Sequence, residues 1–439
     1  LILTLDCGMM NHAEIEEAGR RHIDVIIIDH HHVPEVLPSA FAIVNPKLPT
    51  ETYPFRELCG AGTSFKVATA LYQRYLPAEV EQLKWLLDVV ATGTVADVMP
   101  LIGENRTIVK YGLIVLQKTH RAGFQEMFAV GRIPIGETGI PDARMIAFQI
   151  APRINAASRM AHPILAHNLL MERDTVKARG LALELETYNV ARQKVSQETT
   201  ERIRALAEEK YQGKKFIFAV GEEYPLGVIG LVAGKIAREL GKPTCILQRG
   251  PETSTGSFRS IPGLNIIEAI EVCSDLLVKF GGHAQAAGMT IRNDNLDRFY
   301  ERFNTLLEEK LASVVTEPEL WIDLTLHPGD ITLDLVRGLR KLEPFGEGNP
   351  EPIFALEDMI VMEARTVGKE GKHWKLKLKN GGEPKVFDAV GWSLVEAFPE
   401  LQSGDRIDIA FQLSENSWNG STTVQLKLLD INPSQKGGK

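Results

Sequence analysis

Two stretches, Leu1-Ile2-Leu3-Thr4-Leu5-Asp6 and Val25-Ile26-Ile27-Ile28-Asp29-His30-His31-His32, decide the fold. Each is a short apolar run ending at an aspartate, and the second is rich in β-branched residues, the pattern of a buried strand. Between them, Asn11 is placed to cap a helix reaching about residue 23, with Glu14 three residues on and Ile15, Ala18 and His22 on one face. Strand, helix and strand in this order form a βαβ unit of a parallel sheet, which makes the chain α/β. Side chains at the carboxyl ends of such strands face the crevice where α/β sheets bind ligands. Asp6 and Asp29 are therefore candidate site residues. An aspartate followed by adjacent histidines at a sheet edge is a metal-site pattern, because carboxylate oxygen and neutral imidazole nitrogen both ligate divalent ions.

Working outward, residues 62–75 and 78–91 read as helices. Asp97 follows in Thr92-Gly93-Thr94-Val95-Ala96-Asp97-Val98, and by itself reads as a turn aspartate in a Gly-containing loop. Residues 171–211 are highly charged and lack Pro; they read as a long connecting helix, interrupted near Gly180, to which no chemistry is assigned. A second α/β unit follows, with strands at 216–220 and 244–247 and helices at 228–240, 265–277 and 296–311. The stripe Leu296, Phe299, Tyr300, Phe303, Leu306 and Leu307 reads as core rather than a base-stacking platform. From about Glu317 the runs shorten and alternate, at 360–365, 373–379, 385–390, 406–413 and 422–429, with turns such as Asn380-Gly381-Gly382 and Asn419-Gly420. Strands at this spacing predict a small β-barrel of the OB type. The expected division is 1–170, a connecting helix 171–212, a second domain 213–315 and a barrel 316–434, with a frayed tail.

The 439 residues are 44% hydrophobic, too apolar for a disordered chain. No apolar run approaches the roughly 18 residues of a membrane span. Leu1–Leu5 lacks the basic start and cleavage site of a signal peptide, and without an initiator Met the sequence is expected to begin inside a longer one. Cys7, Cys59, Cys245 and Cys273 form no CxxC pair, which favours reduced thiols and a cytoplasmic location over zinc or disulfides. A net charge of −8 argues mildly against a polyanionic partner, although a local basic groove or bound cations overcome it.

Asp29-His30-His31, with Asp6 in Leu5-Asp6-Cys7-Gly8, resembles two motifs of the DHH phosphoesterases. Leu58-Cys59-Gly60-Ala61-Gly62-Thr63, Gly93-Thr94-Val95-Ala96-Asp97 and Pro152-Arg153-Ile154-Asn155-Ala156-Ala157-Ser158-Arg159 resemble the RecJ branch. Gly256-Ser257-Phe258-Arg259-Ser260 and Gly281-Gly282-His283-Ala284-Gln285-Ala286-Ala287-Gly288 are similar to signatures of the associated DHHA1 domain. Glu343-Pro344-Phe345-Gly346-Glu347-Gly348-Asn349-Pro350 resembles the entry to the RecJ OB domain. Asp-His-His alone is a weak signal; the ordered set, spanning nearly the whole chain, is specific. The resemblance implies a parallel-sheet DHH domain, a long connecting helix, an α/β DHHA1 domain and a C-terminal OB-type β-barrel. It also implies a 5′-to-3′ exonuclease of single-stranded DNA, releasing 5′-mononucleotides in recombination and repair, with two Mn2+ or Mg2+ ions. Asp6, His30 and Asp97 would be metal ligands and His31 would lie beside the metals, with Asp29 in the catalytic set. Oxygen-rich ligation with one imidazole suits these ions, and two such cations activate water and steady the phosphate in phosphodiester hydrolysis.

Two departures stand out. The family places an Asp-x-Asp motif upstream of Asp6, which this sequence does not contain, so an incomplete site without tight two-ion binding is expected. Tyr224 and Pro225 stand where the family often has Trp-His before Gly227-Val228-Ile229-Gly230. His32, a third histidine, is not expected to touch metal.

For nucleic acid, Arg259 and Ser260 offer a forked cation and a hydroxyl to a phosphate. Gly281 and Gly282 allow close backbone approach beside His283, or else form a tight turn before a strand at 289–291. Arg153, Asn155 and Arg159 are polar in an apolar stretch and line a candidate cleft; for Arg159 a structural salt bridge competes. The start of helix 228–240 is a weaker phosphate site. On the barrel, Lys369, Lys372, His373, Lys375, Lys377 and Lys379 accompany Trp374, Trp392 and Trp418, a composition suited to a single strand. Alternation puts Trp374 with Leu376 and Leu378 toward the core and Lys375 and Lys377 outward.

The expected substrate is thus single-stranded DNA threaded between the DHH and DHHA1 domains. The expected partners are a helicase or single-strand-binding protein, and the expected state is a monomer without membrane association. A phosphodiesterase of short oligonucleotides or cyclic dinucleotides is the first competitor, disfavoured because such relatives generally lack the OB domain. An inactive nucleic-acid-binding relative is the second, disfavoured by Asp6, Asp29, His30, His31 and Asp97.

Overall fold

The structure is a computed structural model and describes residues 1–135, 141–311, 319–382, 384–418 and 420–434. The chain forms two compact units, one of residues 1–118, 139–147 and 319–439 and the other of 119–138 and 148–318.

In the first unit, β1 (Ile2–Leu5), β2 (Val25–Ile28) and β3 (Ala42–Val44) form a parallel sheet in the order β1-β2-β3. Leu5 is level with Ile28, and Ile28 with Val44, so all three strands end along one edge. Ile27 is fully buried and packs with Met9, Ile15, Ala18, Val25 and Leu48. Burial of a side chain this size contributes roughly 1.5–3 kcal/mol. Helix α1 (His12–Arg20) is shorter than its periodicity predicts. Asn11 makes no side-chain cap bond, and the chain turns at His22 in the left-handed region (φ 54), which leaves that ring exposed rather than on the helix face.

Helix α2 (Gly60–Tyr75) matches expectation. The helix expected at 78–91 is instead a 3-10 segment, Pro77–Leu86, followed by α3 (Leu87–Ala96). Gly93 and Thr94 therefore belong to the last turns of α3, and Asp97 caps its C-terminus rather than sitting in a loop. Helix α4 (Gly103–Gln117) packs on α3.

The same unit contains the barrel: β9 (Leu324–Thr325), β10 (Phe354–Val367), β11 (His373–Asn380), β12 (Val386–Gly391), β13 (Arg406–Trp418) and β14 (Ser421–Pro433). Its order is β11-β12-β14-β13-β10-β9, and a β10–β11 pairing closes it. Trp374, Leu376 and Leu378 point into its core, and the Trp374 indole donates to the Phe398 carbonyl. Lys375 and Lys377 face outward, and the Lys377 ammonium lies 3.5 Å from Glu363.

The second unit packs α5 (Ala122–Gly131), α7 (Ala151–Met160) and α8 (Ile164–Met171) against the long helix α9 (Thr175–Lys210); α6 (Ala143–Met145) is a single turn in the first unit. Helix α9 runs unbroken through Gly180, where a side chain would meet open space, so that glycine weakens the helix without ending it. Strands β4 (Ile217–Gly221), β5 (Thr244–Arg249), β6 (Thr253–Arg259), β7 (Leu277–His283) and β8 (Ala286–Arg292) make a mixed sheet in the order β4-β5-β6-β8-β7. On one face, α9 and α10 (Leu226–Leu240) cover Ile217, Ala219 and Ile246. On the other, α11 (Ile266–Glu271) and α12 (Leu296–Leu311) cover Phe216, Phe218 and Phe258, with Phe299 and Phe303 in that core as the stripe predicts. The helix expected at 265–277 stops at Glu271; a 3-10 turn, Ser274–Leu276, leads into β7. Gly281, Gly282 and His283 thus lie in a strand, not in a tight turn.

No helix among the described residues is long and apolar enough to cross a membrane. The four cysteines are free thiols, with Cys7 exposed and the other three buried.

Candidate functional site

The carboxyl edge of the β1-β2-β3 sheet gathers the predicted acids and imidazoles. Asp6 follows β1, and its amide donates to Ile28 O (2.9 Å), while its own backbone is left-handed (φ 64). His30 follows β2 and is 6% exposed. Its Nε2 lies 3.2 Å from Asp6 Oδ1 and 3.4 Å from Asp97 Oδ2, so a residue after β1 and one at the end of α3 meet on one ring nitrogen. One ligand atom from each of Asp6, His30 and His31 falls within a 4.8 Å group. Asp97 joins that group through His30, and His32, though adjacent, is not among these donors.

Electrostatics mark the cluster as short of positive charge. The hydrogen bond to Asp6 raises the His30 pKa against the opposing effect of burial, and the field of Asp97 adds to the rise. Burial pushes the Asp97 carboxyl up, and repulsion from Asp6 adds to it. Two carboxylate oxygens and an imidazole nitrogen converging at one point are the donor chemistry of a divalent-metal site. The residues present fit such an ion.

Asp29 has a different position from its neighbours. It is 1% exposed, and its oxygens accept from the amides of Met9 (3.3 Å), His30 (2.7 Å) and His31 (3.2 Å) and from His31 Nδ1 (2.7 Å). Burial raises its pKa, but the His31, His30 and Met9 hydrogen bonds outweigh burial and hold it below the usual value. Asp29 therefore sets the turn and fixes the His31 ring. With Nδ1 donating to Asp29, the neutral His31 presents Nε2 as its basic nitrogen.

Lys47 is a residue that sequence reasoning missed. It follows β3, and its field reaches both His30 and Asp97. Its amide is held by Asn45 Oδ1, while Asn45 Nδ2 donates to His31 O. The signal was the apolar run Ala42-Ile43-Val44, whose place as a third strand ending on the same edge was not read.

The glycines of Cys59-Gly60-Ala61-Gly62 have a physical reason. A Cβ on Gly60 would stand 2.1 Å from Asp6 Oδ1 and 2.5 Å from its Cγ, and one on Gly93 would stand 2.9 Å from the Ala61 methyl. The first turn of α2 thus seats Asp6 on one side and meets α3, which ends at Asp97, on the other. Gly60→Ala is expected to displace Asp6 and weaken Mn2+ binding roughly tenfold or more, measured by calorimetry. Gly62→Ala, whose nearest contact is a Leu58 methyl at 3.3 Å and not Asp6, should bind normally. Equal affinities for the two variants would remove Gly60 from this role.

In the second unit, a row of residues on the α10 side of the sheet carries the other predictions. Arg259 and His283 are both level with Ala286 across β6, β8 and β7, and Ser257 and Gly281 are both level with Gly288. Gly281, Gly288 and His283 are exposed, so small residues leave this part of the face open. Arg259 donates to Ser257 Oγ and the Phe258 carbonyl and lies beside Gly230 of α10. Ser260 differs from expectation: its hydroxyl donates to Leu264 O (2.7 Å) and so closes its own loop.

Arg153 also differs. Its guanidinium donates to Glu186 (2.6 Å), Gln149 O and Gly131 O, so it ties α7 to α9 instead of lining a cleft. Arg159, for which a salt bridge competed, has no carboxylate partner among the described residues; it donates to Gly227 O (3.1 Å). Asn155 is exposed on α7. In the first turn of α10, Gly227 packs directly on the Arg159 carbonyl, where a side chain would not fit. Tyr224, in the place of the family's tryptophan, is buried in the core under α10. Arg192 on α9 was missed; it feels the fields of Arg159 and Arg153.

Comparison with known proteins identifies the family. Residues 1–94 match the DHH family N-terminal domain, 213–309 the DHHA1 domain and 322–430 the RecJ OB domain. The chain is 35% identical over 432 residues to the single-stranded-DNA-specific exonuclease RecJ of Bacillus subtilis, covering 98% of this chain and 53% of that protein. It is 31% identical over 458 residues to the RecJ of Dickeya dadantii, covering 99% and 77%. The crystal structure of Thermus thermophilus RecJ in complex with Mn2+ superposes with a TM-score of 0.83 at 32% identity, covering 99% of this chain and 62% of that one. The chain thus spans little more than half the length of some of its relatives. Identity of this extent, running in order through all three matched domains, establishes that the chain belongs to the RecJ family.

Proposed function

We propose that this protein is a metal-dependent exonuclease that hydrolyses single-stranded DNA from the 5′ end to 5′-mononucleotides in recombination and repair. The observation that carries this reading is the convergence of Asp6 and Asp97 on His30 Nε2 at a parallel-sheet edge. The names of the relatives and the Mn2+ in the Thermus structure support it. Asp6, His30 and Asp97 would hold Mn2+ or Mg2+, with His31 Nε2 beside them. Such an ion supplies an activated water and neutralises charge on the phosphate. The chain's own part is to keep the donors in place. Asp29 orients the His31 ring, Gly60 seats Asp6, and Lys47 adds a cation at the same edge. In the second unit, Arg159, Arg259, Gly281 and His283 hold the sugar-phosphate backbone; on the barrel, outward Lys375 and Lys377 offer cations to a single strand.

A strand-specific enzyme needs a source of single strands, so a helicase or a single-strand-binding protein is the partner class this reading requires. The free thiols suit a reducing, cytoplasmic compartment. The test is degradation of 5′-labelled DNA by the full-length protein with Mn2+. A long single strand should lose its label as a mononucleotide, and a blunt duplex should survive. Equal rates on the two, or activity on dinucleotides alone, would overturn the proposal.

A further inference from the structure

We infer that Arg192 of the long helix α9 is an anion-binding residue, and that with Arg159 and Arg259 it forms a guanidinium pocket for phosphates of a nucleic-acid strand. The inference rests on the reading of the second unit as a nucleic-acid holder and adds a helix to which the sequence assigned no chemistry.

The argument starts from packing. Helices α7, α9 and α10 pack pairwise, and α10 also packs on β6. Arg159 ends α7, Arg259 ends β6, and Arg192 lies along α9, so the fold brings three cations to one junction. Along α9, Glu186 neutralises Arg153 with a 2.6 Å contact. Farther along the same helix Arg192 meets only a neutral acceptor, Asn189 Oδ1, at 2.9 Å, and its Nε is buried with no acceptor. Arg159 and Arg259 likewise donate only to a hydroxyl and backbone carbonyls. No carboxylate pairs with any of the three among the described residues, in a chain with 57 acidic residues against 49 Lys and Arg.

Burial disfavours each charge, and Arg159 repels both Arg192 and Arg259. Their hydrogen bonds to neutral acceptors leave the three charges uncompensated among the described residues. A phosphate reverses the balance, because its oxygens accept from several planar forks at once. The row of half-buried Ser257 and exposed Gly281 and His283 beside Arg259 gives a strand a surface to follow.

The test measures binding of a labelled oligothymidylate by anisotropy, in EDTA, across a salt series, alongside thermal melts of the free protein. Arg192→Gln should weaken binding roughly tenfold and make the salt dependence shallower by about 0.7 in log–log slope. Arg192→Lys should recover much of the loss. The melting temperature of free Arg192→Gln should hold or rise, because repulsion is relieved. Wild-type binding by Arg192→Gln together with weakened binding by Arg159→Ala would overturn this inference alone. Wild-type binding by Arg192→Gln, Arg159→Ala and Arg259→Ala would overturn the underlying reading as well. A lower melting temperature with an unchanged salt slope would make Arg192 structural and overturn the inference.

Discussion

Asp97→Ala is expected to abolish cleavage while leaving the fold intact. Outer-shell partners of metal ligands typically cost about 10–100-fold in affinity or activity when removed, so loss of a direct ligand should cost at least about a hundredfold. The fold should survive because Asp97 closes the end of α3, its side chain is 47% exposed, and its bonds to the helix are made by its backbone. Removing it also relieves repulsion with Asp6. Melts of the metal-free variant should therefore show no loss, while Mn2+ binding and turnover fall together. Unchanged turnover would take Asp97 out of the site, and a lowered melting temperature would assign it to folding instead.

Asp29→Ala is expected to fail in the opposite order, by destabilising first. The substitution leaves the buried amides of Met9 and His30 and the half-buried amide of His31 without their acceptor and frees the His31 ring. Unsatisfied buried donors cost about 1–3 kcal/mol each, so a loss of about 3 kcal/mol or more is expected, read by denaturant titration. Asp29→Asn separates the effects. Its carbonyl oxygen can still accept from the His30 and His31 donors, but its amide group then opposes the Met9 N–H. It should fold with a smaller loss of stability and still bind Mn2+ about 10–100-fold less well. Full metal affinity in Asp29→Asn would show that the His31 orientation is irrelevant to the centre.

The two aspartates illustrate how much of the site the sequence contains. Asp6, Asp29 and His30 were legible because short apolar runs end at them, and in a parallel sheet the residues that follow the strands share its carboxyl edge. Their division of labour was not legible. Asp29 is turned inward by three amides, one from Met9 on the opposite side of the intervening helix, and no local pattern records that contact.

By itself the sequence determined the α/β class, the strand-end acids, the barrel with Trp374 inward, and the aromatic core stripe of α12. These follow from alternation and helical period, which report the face a residue buries. Only the tertiary structure decided what each polar group meets there. It paired Arg153 with Glu186, left Arg159 and Arg192 without counter-charges among the described residues, folded Ser260 onto its own loop and brought Asp97 to His30. Those outcomes depend on contacts between residues tens of positions apart, where one carboxylate within reach turns a cation from a ligand-binding group into a packing strut.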